Sequence, residues 1–296
     1  MLFILQSTGA PGRSEASGPA LRAASSALTA GALTLSLLAS PMLTPTSVRA
    51  QTPETGVSRM VYDHGGVYKG EFRDGKQHGQ GTFQLPDGYE YTGEWRDGQI
   101  EGAGVAKYPN GSVYEGEFRN GAPHGTGTIK FADGGEYSGA WVDGVIDGKG
   151  VARYGNGIVY EGEFKDNLHH GVGSMKSPND YTYTGEWVEG LQQGRGKATY
   201  KDGAVFDGEF NKGKREGSGS ITFPDGFTFT GSWRAGAIHG DGTAQYPNGD
   251  VYQGQFLNGK RHGFGTMKYA TGAEYRGYWV KGKRGTKAEA EASAVE

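Results

Sequence analysis

The stretch YKGEFRDGKQHGQG, residues 68–81, sets glycines among a Tyr, a Phe and a His. Glycine-rich runs cradle phosphates in many nucleotide sites, so the first question is whether this one does. Its recurrence answers. Tyr68 is followed at a constant step by Tyr91, Tyr114, Tyr137, Tyr160, Tyr183, Phe206, Phe229, Tyr252 and Tyr275. A glycine stands two residues after each, from Gly70 to Gly277, and a Phe or Trp two after that, from Phe72 to Trp279. A Gly-x-Gly pair closes nine of these windows, as in Gly79/Gly81 and Gly263/Gly265. A phosphate loop occurs once, between a strand and a helix. A period of this length, repeated without insertion, marks a repeat array. The glycines read as structural.

Within a window, residues alternate in steps of two. Tyr114, Gly116 and Phe118 oppose Glu115, Glu117 and Arg119, the pattern of a half-buried strand. Gly125, Gly127, Ile129 and Phe131 repeat it against Thr126, Thr128 and Lys130. Between the halves lies NGAPH (120–124), and ADGG (132–135) follows; both are turn stretches. Each window therefore reads as a β-hairpin. Pairing residues equidistant from the NGAPH loop sets Tyr114 opposite Phe131, Gly116 opposite Ile129 and Phe118 opposite Gly127, so that glycine is a floor for a ring. The same register sets Glu115 opposite Lys130 and Glu161 opposite Lys176, charge pairs of about 0.2–1 kcal/mol each.

A second period, twice as long, alternates Phe and Trp from Phe72 and Trp95 to Phe256 and Trp279. Eleven positions after Phe comes a large residue (Phe83, Ile129, Met175, Ile221, Met267); after Trp comes Ala (Ala106, Ala152, Ala198, Ala244). The register makes these diagonal neighbours, large beside small, as close packing asks. The expected fold class is all-β: one elongated, twisted antiparallel sheet of tandem β-hairpins.

Composition narrows the function. The chain has 296 residues, 55 of them Gly, with 12% aromatics and no Cys. The aromatic content argues against a disordered chain. The lack of Cys excludes disulfides, thiolate metal sites and a Cys nucleophile. A net charge of −3 gives no pull toward nucleic acid, so none is expected as a partner.

The first fifty residues differ from the rest. Arg13 and Arg22 precede an uncharged run from Ala23 to Ala39, and SVRAQ (47–51) offers small residues at Val48 and Ala50 before Gln51. This is a signal-peptide pattern, with 1–50 removed. The alternative is an uncleaved anchor, which the Ser- and Thr-rich run fits less well, being short of about 20 apolar residues. Cleavage would remove three Arg and one Glu and take the net charge from −3 to −5. The expected location is exported, periplasmic or extracellular. Residues 51–58 read as a linker, 59–285 as the array and 286–296 as a disordered or frayed tail.

YxGEFxxGxxHGxG and YxGEWxxGxxxGxG at this step resemble MORN repeats, with ten windows covering about 59–285. The resemblance implies rows of hairpins in one long sheet, and roles in scaffolding, protein binding, self-association and, in some members, contact with phospholipids. Departures gather in the fifth window. Asn167 and Asp180 replace turn glycines and Ser177 an aromatic, which reads as a variant turn because Asn and Asp tolerate the left-handed backbone. Ala140, Ser232, Gln255 and Tyr278 replace the usual Glu and read as surface drift.

Chemistry is sparse. His78, His124, His170, His239 and His262 share one loop position, but windows stand roughly 10 Å apart, too far for one zinc ion with ligands at about 2.1 Å. Each is expected to bond its own loop backbone. The repeated Glu residues read as a solvent-side ladder, and no Ser-His-Asp set stands out. No catalytic, metal or cofactor residues are expected, and the chain is not read as an enzyme. Lys214/Arg215, Lys260/Arg261 and Lys283/Arg284 occupy equivalent loops and form a candidate basic stripe for an anionic surface.

The leading expectation is a non-catalytic scaffold or binding protein of the cell envelope, acting through protein–protein contact or self-association. An array near 100 Å long, at the strand spacing above, would carry an aromatic face that a single sheet must coil, dimerise or bind a partner to hide. The expected partners are an unidentified protein or a second copy. The alternative is a peripheral binder of anionic phospholipid through the basic loops, with weak affinity.

Overall fold

The computed structural model describes residues 55–294; the segment read as a signal peptide lies outside them. The 21 strands belong to one antiparallel sheet. The chain divides after Gly173 into two compact units. In residues 55–173 each strand from Thr55–Val61 to Val159–Lys165 pairs with the next in sequence. In residues 174–294 the same holds from Thr182–Val188 to Lys283–Gly285.

The hairpin register differs from the expected one by two residues before the bulge and by four after it. Tyr114 faces Ile129, Gly116 faces Gly127, and after a bulge Phe118 faces Pro123 and Arg119 faces Ala122. The cause is the turn. Asn120 (φ 51°) and Gly121 (φ 81°) alone make it, with both central residues left-handed. That twist suits a two-residue hairpin. The remaining residues of NGAPH belong to the strand, and the slack is taken up at Gly125 (φ 67°) and Thr126. The charge pairs move with the register: Glu115 faces Thr128, and Lys130 faces Val113 and Glu136. Asn167 (φ 65°) and Asp180 (φ 64°) hold left-handed turn positions in the fifth window, as expected of a variant turn.

Glycine is a floor, but for another ring. A Cβ on Gly127 would strike the Tyr114 ring, 2.6 Å from its Cε2, and one on Gly116 would lie 2.6 Å from Thr126 O. So Tyr114, not Phe118, lies over Gly127. The Phe/Trp alternation also packs differently. Ala106 stands opposite Tyr91 and Tyr114, and Phe83 stands opposite Tyr91 on its other side. Trp95 lies 6.2 Å from Phe83. The Phe83 ring thus accompanies the Trp of the next hairpin. The indole N–H of Trp95 donates to Gly81 O at 3.2 Å, and that of Trp141 to Gly127 O at 3.2 Å.

The aromatic face hides itself. Tyr68, Tyr91, Tyr114, Tyr137 and Tyr160 in the first unit, and Tyr183, Phe206, Phe229 and Tyr252 in the second, are all 0% exposed. Within each unit these rings meet the Phe or Trp of their own strand, and those followed by another hairpin of the same unit meet its Phe or Trp as well, edge-on, as Tyr114 does with Phe118 at 5.0 Å and Trp141 at 5.2 Å. Such pairs add about 0.5–1.5 kcal/mol beyond the area they bury. No partner is needed to cover these rings.

Two boundaries shift. The first described strand starts at Thr55, inside the stretch read as a linker. The stretch read as a frayed tail contains the helix Lys287–Ser293, whose Thr286 and Glu289 form a reciprocal capping box. Its Ala290 is 3% exposed, and His262 Nε2 donates to Ala290 O at 3.0 Å.

Candidate functional site

A bulge and a tight turn leave backbone groups without strand partners, and side chains at fixed window positions satisfy them. Glu117 accepts the Thr126 N–H at 3.0 Å and its hydroxyl at 2.7 Å, bonds that hold the Glu117 carboxyl below its ordinary range. Glu71 and Glu186 accept from Gln80 N and Arg195 N in the same way. The Glu of GEF and GEW thus serves the bulge and is not merely a solvent ladder. Gln255 keeps the function with its amide oxygen, 3.2 Å from Phe264 N. The leading Tyr completes the bulge: Tyr114 Oη donates to Glu117 O, three residues on, at 2.9 Å. Tyr68, Tyr91, Tyr137, Tyr160, Tyr183 and Tyr252 do likewise.

The shared His position joins hairpins. His78 Nδ1 accepts from Asp97 N (3.5 Å) and His124 Nδ1 from Asp143 N (3.3 Å), each in the following turn. The expected bond to the residue's own loop is replaced by one to the neighbour. Glu101, Gln193 and Glu216 do the same at this position, to Asn120 N, Lys212 N and Ala235 N. At these five windows the position supplies an acceptor, as His, Glu and Gln all can; at His262 the Nδ1 is instead buried without a partner and Nε2 turns to Ala290 O. Among the described residues no group of three or more His, Cys, Asp or Glu is placed to hold a metal.

The position just before it faces the other way, onto the aromatic side. Phe72 faces Gln77, Trp95 faces Ile100, Phe118 faces Pro123 and Trp141 faces Ile146; further on stand Gln192, Arg215, Ile238, Arg261 and Arg284. His169 falls at this step in the fifth window. Its partner is often the aromatic that opens the preceding turn. Gln77 bonds Tyr62 Oη, His169 Nε2 lies 2.6 Å from Tyr154 Oη, and Arg284 donates to Tyr269 Oη at 2.9 Å. His169 is 4% exposed and stacks on Tyr160 at 3.7 Å. Burial pushes its pKa down to about 3. In the third window the slot holds Pro123, which has no side-chain donor or acceptor, and the Tyr108 hydroxyl is buried without a partner, as is that of Tyr89.

The candidate basic residues separate by face. Lys214, Lys260 and Lys283 are exposed and, one residue from the slot, point to the opposite side. Their neighbours lie on the aromatic side: Arg215 over Trp233 at 4.5 Å, Arg261 over Trp279 at 4.4 Å, Arg284 over Tyr275 at 4.2 Å. Arg215 Nη2 also donates to Gly236 O (2.6 Å) and Arg261 Nη2 to Gly282 O (2.9 Å). The six do not form one exposed stripe. Alternation along the strand implies this split; the expected register, with a longer loop, concealed which residues begin the strand.

A family model for the MORN repeat matches residues 68–88, 91–113, 114–136, 137–159, 160–180, 183–205, 206–228, 229–251 and 252–274. The chain belongs to the MORN repeat family. Nine windows match against the ten expected; the tenth, led by Tyr275, has only Lys283–Gly285 as its second strand. Tandem MORN repeats indicate a binding or scaffold role. No curated protein matches the chain in sequence. Among solved structures, it is similar to the TCP10 domain of Danio rerio CPAP, at 18% identity over 66% of this chain and 92% of that one, with a TM-score of 0.38. It is also similar to the SAS-4 TCP domain of Drosophila melanogaster, solved with a proline-rich motif of Ana2, at 15% identity over 66% of this chain and 99% of that one, with a TM-score of 0.34.

Proposed function

We propose that the chain is a non-catalytic binding scaffold, exported to the cell envelope and acting in the periplasm or outside the cell through a protein partner. One observation carries the scaffold reading. The polar side chains at recurring positions bond neighbouring backbone, as Glu117 and His124 do, instead of converging on a point where a reaction could occur. Export rests on the Arg22-led run and SVRAQ. Intact mass of the protein from its native cells is expected to give Gln51 as the first residue; a cytoplasmic chain that retains residues 1–50 overturns export. Crosslinking in the native envelope, followed by mass spectrometry, is expected to yield a stoichiometric partner protein or a second copy. A chain that crosslinks to nothing overturns the scaffold reading.

A second reading, contact with anionic phospholipid, is favoured by the three exposed lysines at equivalent positions. A basic residue near such a surface contributes about 1 kcal/mol, and salt screens it. Co-sedimentation with anionic vesicles is expected to be weak at low salt and lost at physiological salt. Retention at physiological salt would make lipid contact the primary role.

A further inference from the structure

The aromatic side of residues 174–294 differs chemically from that of residues 55–173. In the earlier unit the slot beside the Phe or Trp holds Gln77, Ile100, Pro123, Ile146 and His169, none a fixed cation. In the later unit it holds Gln192, Arg215, Ile238, Arg261 and Arg284, three of them fixed cations. Each guanidinium lies over a ring, 4.2–4.5 Å from its centroid, which restricts its motion and strips part of its water. Arg215 also approaches Tyr200 at 5.6 Å, and Arg261 approaches Tyr246 at 5.7 Å. A guanidinium has five N–H donors; Arg215 and Arg284 use one each in the bonds named above, and Arg261 uses a second toward the Tyr246 hydroxyl, so each keeps donors to spare. Arg215 and Arg261 remain partly exposed and Arg284 is exposed. Asp202 and Asp250, which act on Tyr200 and Tyr246, accept backbone N–H groups of Ala204 and Ala270, so they are tied into the turns. The row is thus three oriented cations on an aromatic bed.

Four strand steps separate Arg215 from Arg261 and two separate Arg261 from Arg284, which at about 4.8 Å per strand gives spacings of about 19 Å and 10 Å. An extended peptide in the polyproline II conformation advances about 3.1 Å per residue with about three residues per turn, so carboxylates about six and three residues apart would share one face and meet all three. A flat anionic surface suits the row less well, because the lysines beside these arginines point to the opposite face.

We propose that the aromatic face of residues 174–294 binds an extended acidic peptide, with carboxylates seated on Arg215, Arg261 and Arg284. The proposal rests on the scaffold reading and names the partner's chemistry. Planar carboxylate matches the guanidinium fork bidentately, and the stacked rings keep each fork in place at little further cost in side-chain entropy.

The test uses the full chain and fluorescein-labelled deca-glutamate, titrated by anisotropy at physiological salt. The variant Arg215→Gln/Arg261→Gln/Arg284→Gln copies a residue that the fold already accepts in this slot at Gln77 and Gln192. It is expected to weaken binding at least tenfold with an unchanged circular dichroism spectrum. Lys214→Ser/Lys260→Ser/Lys283→Ser, on the opposite face, is expected to change it less than twofold. Gln77→Arg, which places an arginine in the slot beside Tyr62, tests whether a single oriented cation in the other unit suffices; no gain is expected, because its neighbouring slots Ile100 and Pro123 carry no charge. No binding by the native chain, equal loss in the two triple variants, or loss only in the lysine variant overturns the proposal. So does tighter binding to phosphatidylglycerol vesicles than to the peptide with the same arginine dependence. If the peptide fails while crosslinking still yields a partner, the acidic-peptide inference falls and the scaffold reading stands.

Discussion

Replacing Tyr114 by Phe removes one atom and leaves the ring. The hydroxyl is 2.9 Å from Glu117 O, in the bulge where the strand ladder is interrupted. A net hydrogen bond is worth about 0.5–1.5 kcal/mol. The site is only part-buried, so water can reach part of the abandoned carbonyl and the full penalty for a buried unsatisfied group does not apply. The expected loss is about 1 kcal/mol. The chain carries its own reciprocal experiment at Phe206 and Phe229, which stand in the same position without a hydroxyl. A Cβ on Gly219 would meet Phe206 Cε2 at 2.7 Å, so Phe206 occupies its floor as the tyrosines do. Phe206→Tyr should then place a hydroxyl toward Glu209 O and stabilise by a similar amount. The assay is urea unfolding followed by tryptophan fluorescence, because Trp141 lies 5.2 Å from Tyr114 and Trp233 lies 5.0 Å from Phe206. Repeat arrays need not unfold in one step, so the comparison is of the midpoint of the transition each Trp reports. An unchanged midpoint for Tyr114→Phe, or a lower one for Phe206→Tyr, would refute the claim that the hydroxyl completes the bulge.

Three further outcomes follow from the packing. Gly127→Ala puts a Cβ into the Tyr114 ring and should destabilise by roughly 1–3 kcal/mol through overpacking; a neutral melt would mean the ring is not seated there. Pro123→Gln should give the orphaned Tyr108 hydroxyl a partner, as Gln77 gives Tyr62 in the equivalent pair, and raise stability by about 1 kcal/mol; a double variant with Tyr108→Phe should erase the gain. His169 has a folded-state pKa pushed from 6.5 down to about 3 by burial, so the unfolded chain takes the proton first. Its contribution to stability is complete above pH 6.5 and falls as pH drops toward 3, by about 1.4 kcal/mol per unit. Between pH 6.5 and 5, where carboxylates contribute little, His169→Gln should remove about 2 kcal/mol of that dependence in parallel melts; identical slopes in the two proteins would contradict it.

The recurrence of one window from Tyr68 to Tyr275, the alternation within each half and the Asn-Gly and Asp-Gly turns determined the class of fold from sequence alone. They are local signals: strand alternation and left-handed turn residues act within a few positions, and the repeat makes each signal legible many times. The glycine floor was also legible, because a ring and a missing side chain at fixed spacing leave a trace. The Thr286-x-x-Glu289 capping box is legible too, although the composition around it points to a frayed tail. Register was not legible. Two-residue turns with a bulge and five-residue loops without one fit the same alternation, since both keep every side chain on its own face. The choice between them rests on backbone geometry at Asn120, Gly121 and Gly125. From that choice follows everything about the candidate site: which ring lies over Gly127, why Glu117 turns to the bulge, why His124 reaches the next hairpin and why Lys214 and Arg215 part company. The slot that holds His169 and Arg261 draws on side chains from several strands, and only packing brings its members together. Residue type said that a cation was present; tertiary structure decided that it lies over the Trp279 ring at 4.4 Å, because that depends on where two hairpins stack and not on either one alone.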